Sequence, residues 1–307
     1  MPRSSRYPTF ASVWKEALVA YLHPFMGFFF PDVQRDIAPA RGYERLDGEL
    51  QEITAESGPA RRVADTLVRV WRTNGDEVWL LIHFEVDGPQ ETDFTSQMFA
   101  DAGRLFGRYR QKVAGFAVLG DERPFWRPDR FAYEPWGTKF EAQLRTAHLV
   151  DYPAELSALA ADLNPLAVVV CAYRQALRTV DDDEARRRAK LRLVKGLHAR
   201  EMWEGEIRQL YCLIDGMMGL PQPQADLAWQ ELCDFERENG RQYISDAEGV
   251  FRVAGWAEVR DNYLRQVEAV LRFKFREPGL ALVPEVRRIE DVDLLRKVLA
   301  TSNWGSA

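Results

Sequence analysis

Two adjacent runs constrain this chain more than any other feature, because both alternate apolar and polar residues with a period of two. Residues 63–72 read VADTLVRVWR and residues 77–87 read EVWLLIHFEVD. In the second, Val78, Leu80, Ile82, Phe84 and Val86 fill the even positions, which is the pattern of a strand and not of a helix. In the first, Ala64, Thr66, Val68 and Val70 are even and Asp65, Leu67, Arg69 and Trp71 are odd. Between them lies Thr73-Asn74-Gly75-Asp76, and Asn and Gly tolerate the positive φ of tight turns, so the runs predict an antiparallel hairpin whose even faces share a core.

Directly opposed residues of an antiparallel pair share a face. A three-residue loop, Asn74 to Asp76, then sets Asp65 opposite Glu85, with Cβ atoms about 5 Å apart, and Asp87 follows on the same face. Opposed like charges destabilise a sheet unless something separates or neutralises them, and a divalent cation held by carboxylate oxygens does so directly. The other reading of these three carboxylates is an ordinary solvated strand face.

The chain has 307 residues, of which 46% are hydrophobic and 29% charged, enough for one sizeable domain and a smaller one. Its formal net charge of −6 advertises no general affinity for nucleic acid, so any such contact depends on local basic patches or a bridging metal. Cys171, Cys212 and Cys233 lack CxxC spacing, which argues against a disulfide framework or zinc site and fits reduced cytoplasmic thiols. His23, His83, His148 and His198 are scattered along the chain, which offers no Cys-His nucleophile. The first ten residues do not resemble a signal peptide, and FMGFFF (25–30) is far shorter than the ~20 residues of a membrane span, so it is expected to be buried. The expectation is a cytoplasmic protein with no membrane partner.

Elsewhere, Phe10, Trp14, Leu18, Tyr21 and Phe25 form a helical stripe interrupted by Pro24, and a short helix is expected over 44–53. Asp93 can cap a helix running to about Arg110, followed by strands over 113–120, 130–134 and 138–150. Beyond Tyr152 the period becomes 3.6, with Asn164-Pro165 starting one helix and Asp181 to Asp183 another. The latter carries Arg186, Arg187, Arg188, Lys190, Arg192 and Lys195, either a phosphate-contacting surface or a solvated face. Pro221-Gln222-Pro223-Gln224 is the expected linker, then a helix stopping near Gly240, and helices over about 256–274 and 289–300.

The blocks GYERLDGELQEI, RRVADTLVRVW, EVWLLIHFEVDG, DFTSQMFADAGRLFGRY and VAGFAVLGDERPFWRPDRFAYEPWG, in this order, resemble the Rpn family of recombination-promoting nucleases, often labelled putative transposases. The resemblance covers roughly residues 10–152 and implies an α/β fold of the PD-(D/E)XK (restriction-endonuclease-like) superfamily, a mixed sheet flanked by helices. Residues 153–240 resemble the helical accessory segment that follows such cores, and 241–307 resemble more weakly a small helical region that could self-associate as a homodimer.

The resemblance implies a DNA endonuclease dependent on Mg²⁺ or Mn²⁺. It sets the family's aspartate on Asp65 and the acidic residue of the next strand on Glu85, with the Val86 carbonyl and a helix carboxylate, Glu49 or its rival Glu44, as further metal ligands. Position 87 departs from the pattern: Asp87 stands where the superfamily has Lys and this family commonly Gln. An ionised aspartate only accepts hydrogen bonds, so it either joins the ligands, is replaced by Gln97 or Arg104, or leaves the site inactive. Arg61, Arg62, Arg104, Arg108 and Arg110 are the expected phosphate contacts. The competing expectation is a catalytically impaired nuclease fold that binds nucleic acid or a protein partner.

Overall fold

The structure is a computed structural model that describes residues 10–55, 65–86, 94–120, 126–153, 162–200 and 202–245, together with 264, 267, 271, 282–284, 286 and 287. It is a mixed α/β protein, a five-strand mixed sheet with helices followed by an all-helical region. Two compact units can be distinguished: Met1–Leu193 with Leu213–Pro221, and Val194–Cys212 with Gln222–Ala307.

The first unit begins with three helices, α1 (Phe10–Ala20), α2 (Leu22–Phe29) and α3 (Pro31–Gln34). The break falls at Tyr21, not at Pro24 as its ring suggested. Pro24 is instead the third residue of α2, within the first turn, where a missing N–H breaks no intrahelical bond. Phe25, Met26, Phe29 and Phe30 are buried as expected.

The expected helix over 44–53 starts later. Glu44–Arg45 form a short strand, β1, paired with Arg69 and Val68, and the helix α4 runs Asp47–Ala55. Then come β2 (Asp65–Trp71), β3 (Glu77–Glu85), α5 (Phe94–Tyr109) and β4 (Val113–Leu119). The run 138–150 divides between two sheets. β6 (Phe140–Gln143) pairs with β5 (Arg130–Tyr133) in a two-stranded arm, and β7 (Arg145–His148) joins the main sheet one residue later.

The main sheet has the order β1-β2-β3-β4-β7; its first three strands are antiparallel, whereas β3, β4 and β7 are parallel. Both faces are covered. On the even face Phe84 stacks on Trp14 with centroids 6.2 Å apart, and Phe116 meets Phe30 at 4.9 Å. On the odd face Leu67, Trp79, Leu81, Ala117 and Leu119 share a core with Leu46 and Leu50 beside and in α4 and with Phe94, Met98 and Leu105 of α5. The odd face is therefore no solvated surface, because α4 and α5 lie over it.

The hairpin register differs from expectation by two residues. Asp65 pairs with His83, Thr66 with Ile82 and Trp71 with Glu77. Faces are conserved, since the shift is even, but Glu85 is not the residue directly across from Asp65. The cause is the loop. Arg72 N donates to Asp76 O at 2.8 Å, so the three loop residues are Thr73-Asn74-Gly75 and Gly75 occupies the third place with φ 93°. Three-residue loops demand a left-handed residue at that place, which glycine adopts without a Cβ clash; the loop expected from sequence would have put Asp76 there.

Four helices follow: α6 (Pro165–Arg178), α7 (Asp183–His198), α8 (Glu204–Met217) and α9 (Gln222–Asn239). Asn164 caps α6 by accepting from Leu166 N at 2.9 Å. Within the expected linker at 221–224 one boundary between the two units falls, between Pro221 and Gln222, but from Gln222 onward the stretch is the start of α9, where Pro223 sits in the first turn. Of the expected helix over 256–274, Leu264, Val267 and Leu271 are described, helical and buried, while 289–300 lies outside the described residues. Among the described residues no helix is long and apolar enough to cross a membrane.

Candidate functional site

β3, β4 and β7 end together, and one row of paired residues, Glu85, Leu119 and His148, marks their carboxyl ends. Open α/β sheets bind ligands at this edge. Paired residues share a face, so Glu85 and His148 stand on the odd face with His83, at the position across from Asp65. His148 is two strand spacings, about 10 Å, from Glu85, which sets it apart from the immediate group.

His83 is the residue that sequence reasoning missed. Its side chain is 6% exposed, and its Nε2 lies 3.1 Å from Glu85 Oε2, where an Nε2–H donates to the carboxylate. The imidazole stacks on Phe94 at the start of α5, with centroids 5.3 Å apart and planes 9° from parallel. The residue two places before Glu85 thus fixes its carboxylate from beneath. The glycine in the third loop place could have revealed this, because the register it requires puts His83 across from Asp65.

The backbone beside Glu85 is closely held. Gly120 N donates to Glu85 O at 2.9 Å, and the Tyr173 hydroxyl of α6 lies 3.4 Å from both Val86 O and Gly120 O. A Cβ at Gly120 would stand 2.1 Å from that hydroxyl and 3.1 Å from Val86 Cα, so only glycine fits without displacement. Tyr173 leaves the Val86 carbonyl one further lone pair.

The remaining expected residues are spread over the same face. Glu49 is half-buried on α4, and its charge acts on the Tyr109 phenol. That phenol is raised above its ordinary value first by desolvation, then by Glu52 and Glu49 against the opposing Arg108, and its ring packs on Trp79 at 5.2 Å. Trp79 lies near the opposite end of β3 from Glu85. Gln97 is half-buried one turn from Phe94. Arg104 is ten residues along α5 from Phe94, about 15 Å, and its Nη1 donates to the buried Asp101 at 2.7 Å. Arg108 donates to Glu52 at 2.6 Å, and Arg110 has φ 57° with its guanidinium over Phe106. Glu44 lies in β1, with Arg69 Nη1 3.2 Å from its carboxylate.

Arg61, Arg62 and Asp87 lie outside the described residues, as does the side chain of Asp65. Among the described residues, no group of three or more His, Cys, Asp or Glu side chains is placed to hold a metal ion.

The basic run of α7 is divided between internal partners and the surface. Arg186 donates to Ala176 O at 2.9 Å, Lys190 is buried against Asp215, Arg188 pairs with Glu184, and Lys195 Nζ lies 5.2 Å from the Phe235 ring centroid. Lys190 is thus an internal group, whereas Arg188 with its partner Glu184, and Arg192, stand exposed.

Compared with protein-family models, with curated proteins and with solved structures, the chain matches none.

Proposed function

We propose that this chain is a metal-dependent endonuclease that hydrolyses DNA phosphodiester bonds, of the Rpn or transposase-like kind, with a PD-(D/E)XK core in its mixed sheet and a role in promoting recombination. One observation carries the reading: Asp65 and Glu85 stand diagonally on one helix-covered face, at the edge where three parallel strands end. The order and spacing of the sequence blocks that resemble the family add to it.

The donors at this edge suit a hard or borderline divalent ion: two carboxylates, Asp65 and Glu85, and the Val86 carbonyl. When bound, such an ion lowers the pKa of a water, polarises the scissile phosphate and offsets the negative charge of the site. The chain's own residues do the positioning. Phe94 and His83 hold the Glu85 carboxylate in one orientation, and Tyr173 and Gly120 fix the backbone that carries Val86. Gln97, one turn into α5, is better placed than Arg104 to donate toward a phosphate, because Arg104 lies about two turns further along and is engaged by Asp101. Glu49 stands on α4 as the candidate helix carboxylate, and its charge acts on the Tyr109 phenol, whose ring packs on Trp79.

Nicking of supercoiled plasmid by the purified chain, with Mg²⁺ or Mn²⁺ and with chelator, tests the reading. Asp65→Ala and Glu85→Ala are expected to lower metal-dependent nicking by at least about a hundredfold each. Nicking that survives both substitutions overturns the assignment. The chemistry of position 87 favours a second reading, a catalytically impaired fold that binds nucleic acid or a protein partner. Asp87→Gln separates the two: cleavage that appears in an otherwise silent protein identifies Asp87 as the lesion, and continued silence supports the binding module.

A further inference from the structure

We propose that His83 is a nitrogen donor in the metal site, so that the site takes a borderline transition ion such as Mn²⁺, Co²⁺ or Zn²⁺ in preference to Mg²⁺. The inference rests on the metal-dependent reading above and names the class of ion that reading requires.

The register supplies the first argument. His83, not Glu85, is the residue across from Asp65, and Glu85 is two residues further along the same face. The imidazole therefore springs from a position adjacent to both proposed ligands, across from one and two residues from the other. The second argument is distance. Nitrogen and oxygen donors sit about 2.0–2.2 Å from a transition ion, so two donors at a right angle are about 3 Å apart. His83 Nε2 and Glu85 Oε2 are 3.1 Å apart, a spacing that serves a hydrogen bond without the ion and a shared ion with it. Neutral imidazole can carry its proton on Nδ1 and leave the Nε2 lone pair to the ion.

Preorganisation is the third argument. Burial and the stack on Phe94 hold the ring in one plane, so little side-chain entropy remains to be lost on coordination. The donor set then decides the ion. Mg²⁺ prefers oxygen and keeps its waters, whereas imidazole nitrogen suits transition ions.

Electron spin-echo envelope modulation of Mn²⁺ bound to the full chain tests this, beside calorimetric titration with MnCl₂ and MgCl₂. The expected result is a directly bound ¹⁴N signal that changes to ¹⁵N frequencies in protein labelled with ¹⁵N-histidine. In His83→Gln the nitrogen signal is expected to vanish and Mn²⁺ affinity to fall by roughly 10–100-fold, with a much smaller change for Mg²⁺. Mn²⁺ that binds in an Asp65- and Glu85-dependent way without nitrogen coupling overturns the inference and leaves the metal site intact. Coupling that persists in folded His83→Gln overturns it too. No Mn²⁺ binding by the unaltered chain overturns both this inference and the reading beneath it. The labelled wild-type protein needs no substitution, so a misfolded variant cannot shield the proposal.

Discussion

The molecule contains two histidine–glutamate pairs of nearly the same length, one in each unit. His83 Nε2 lies 3.1 Å from Glu85 Oε2 in the first, and His198 Nε2 lies 3.2 Å from Glu236 Oε1 in the second. Each ring is stacked, His83 on Phe94 and His198 on Tyr243 with planes 1° from parallel. The difference is in the carboxylates. Glu236 is fully buried, and its two oxygens accept from Ile244 N at 2.9 Å and Ser245 N at 2.7 Å, so it closes the chain that leaves α9. Glu85 sits at a strand end, 11% exposed, diagonal to Asp65. One pair satisfies backbone; the other stands at the edge where three parallel strands end. A buried histidine–glutamate pair by itself thus says little about function, and what the carboxylate's remaining oxygens accept says more.

Removing each glutamate breaks the comparison most directly. Glu236→Ala leaves two backbone N–H groups and a buried imidazole without their carboxylate, and is expected to cost about 3–5 kcal/mol in denaturant unfolding. Glu85→Ala is expected to change stability far less while removing metal-dependent nicking. Equal destabilisation by the two would erase the distinction between structural pair and site.

A smaller effect is expected at Gly120. Gly120→Ala introduces a Cβ against Tyr173 and the Val86 backbone and is expected to cost about 1–3 kcal/mol, partly recovered when combined with Tyr173→Phe. No recovery in that double-mutant cycle would show that the backbone contact, and not the hydroxyl, sets the limit.

The pH dependence of stability separates a third carboxyl from Glu236. Burial raises Glu16 of α1 from 4.5 to about 7. A raised acid stabilises the fold fully below about 4.5 and loses that contribution as pH rises through about 7, so Glu16→Gln is expected to flatten a decline in stability between pH 5 and 8. Glu236 has the opposite sign. Burial acts to raise it, but the His198 contact and the bonds from Ser245 and Ile244 outweigh burial and hold it below its ordinary 4.5. Its contribution is present above 4.5 and is lost as pH falls through the lowered value, so Glu236→Gln is expected to flatten the acid limb. Unfolding midpoints across pH 3–9 check both signs.

The sequence made the faces of the hairpin legible because a period of two leaves no other assignment for Val78, Leu80, Ile82 and Phe84. It did not make the register legible as long as the loop was placed by its length alone; the φ demanded of Gly75 decides that. The cover over the odd face was hidden for another reason. Asp65, Arg69, His83 and Glu85 make that face look polar in projection, but Leu67, Trp79 and Leu81 alternate with them and are what α4 and α5 bury. Glu44 read as helical because Leu46 and Leu50 continue a helical stripe, while its pairing with Arg69 depends on a strand far along the chain. The α7 cations looked like a surface because one sequence does not show that Asp215 and the Ala176 carbonyl are their partners.

The three-residue loop at Thr73-Asn74-Gly75 acts as a length standard for a site about 33 Å away along β3. Asp36 clamps it, taking bonds from Arg72 Nε at 2.6 Å and Thr73 Oγ1 at 2.9 Å. A slip of one residue in the pairing would turn Asp65 to the side of α1 and α2; a slip of two restores the face but changes its opposite number. Insertions and deletions in this turn therefore reach the carboxylate pair whenever they shift the pairing, although the turn itself lies at the far end of the hairpin.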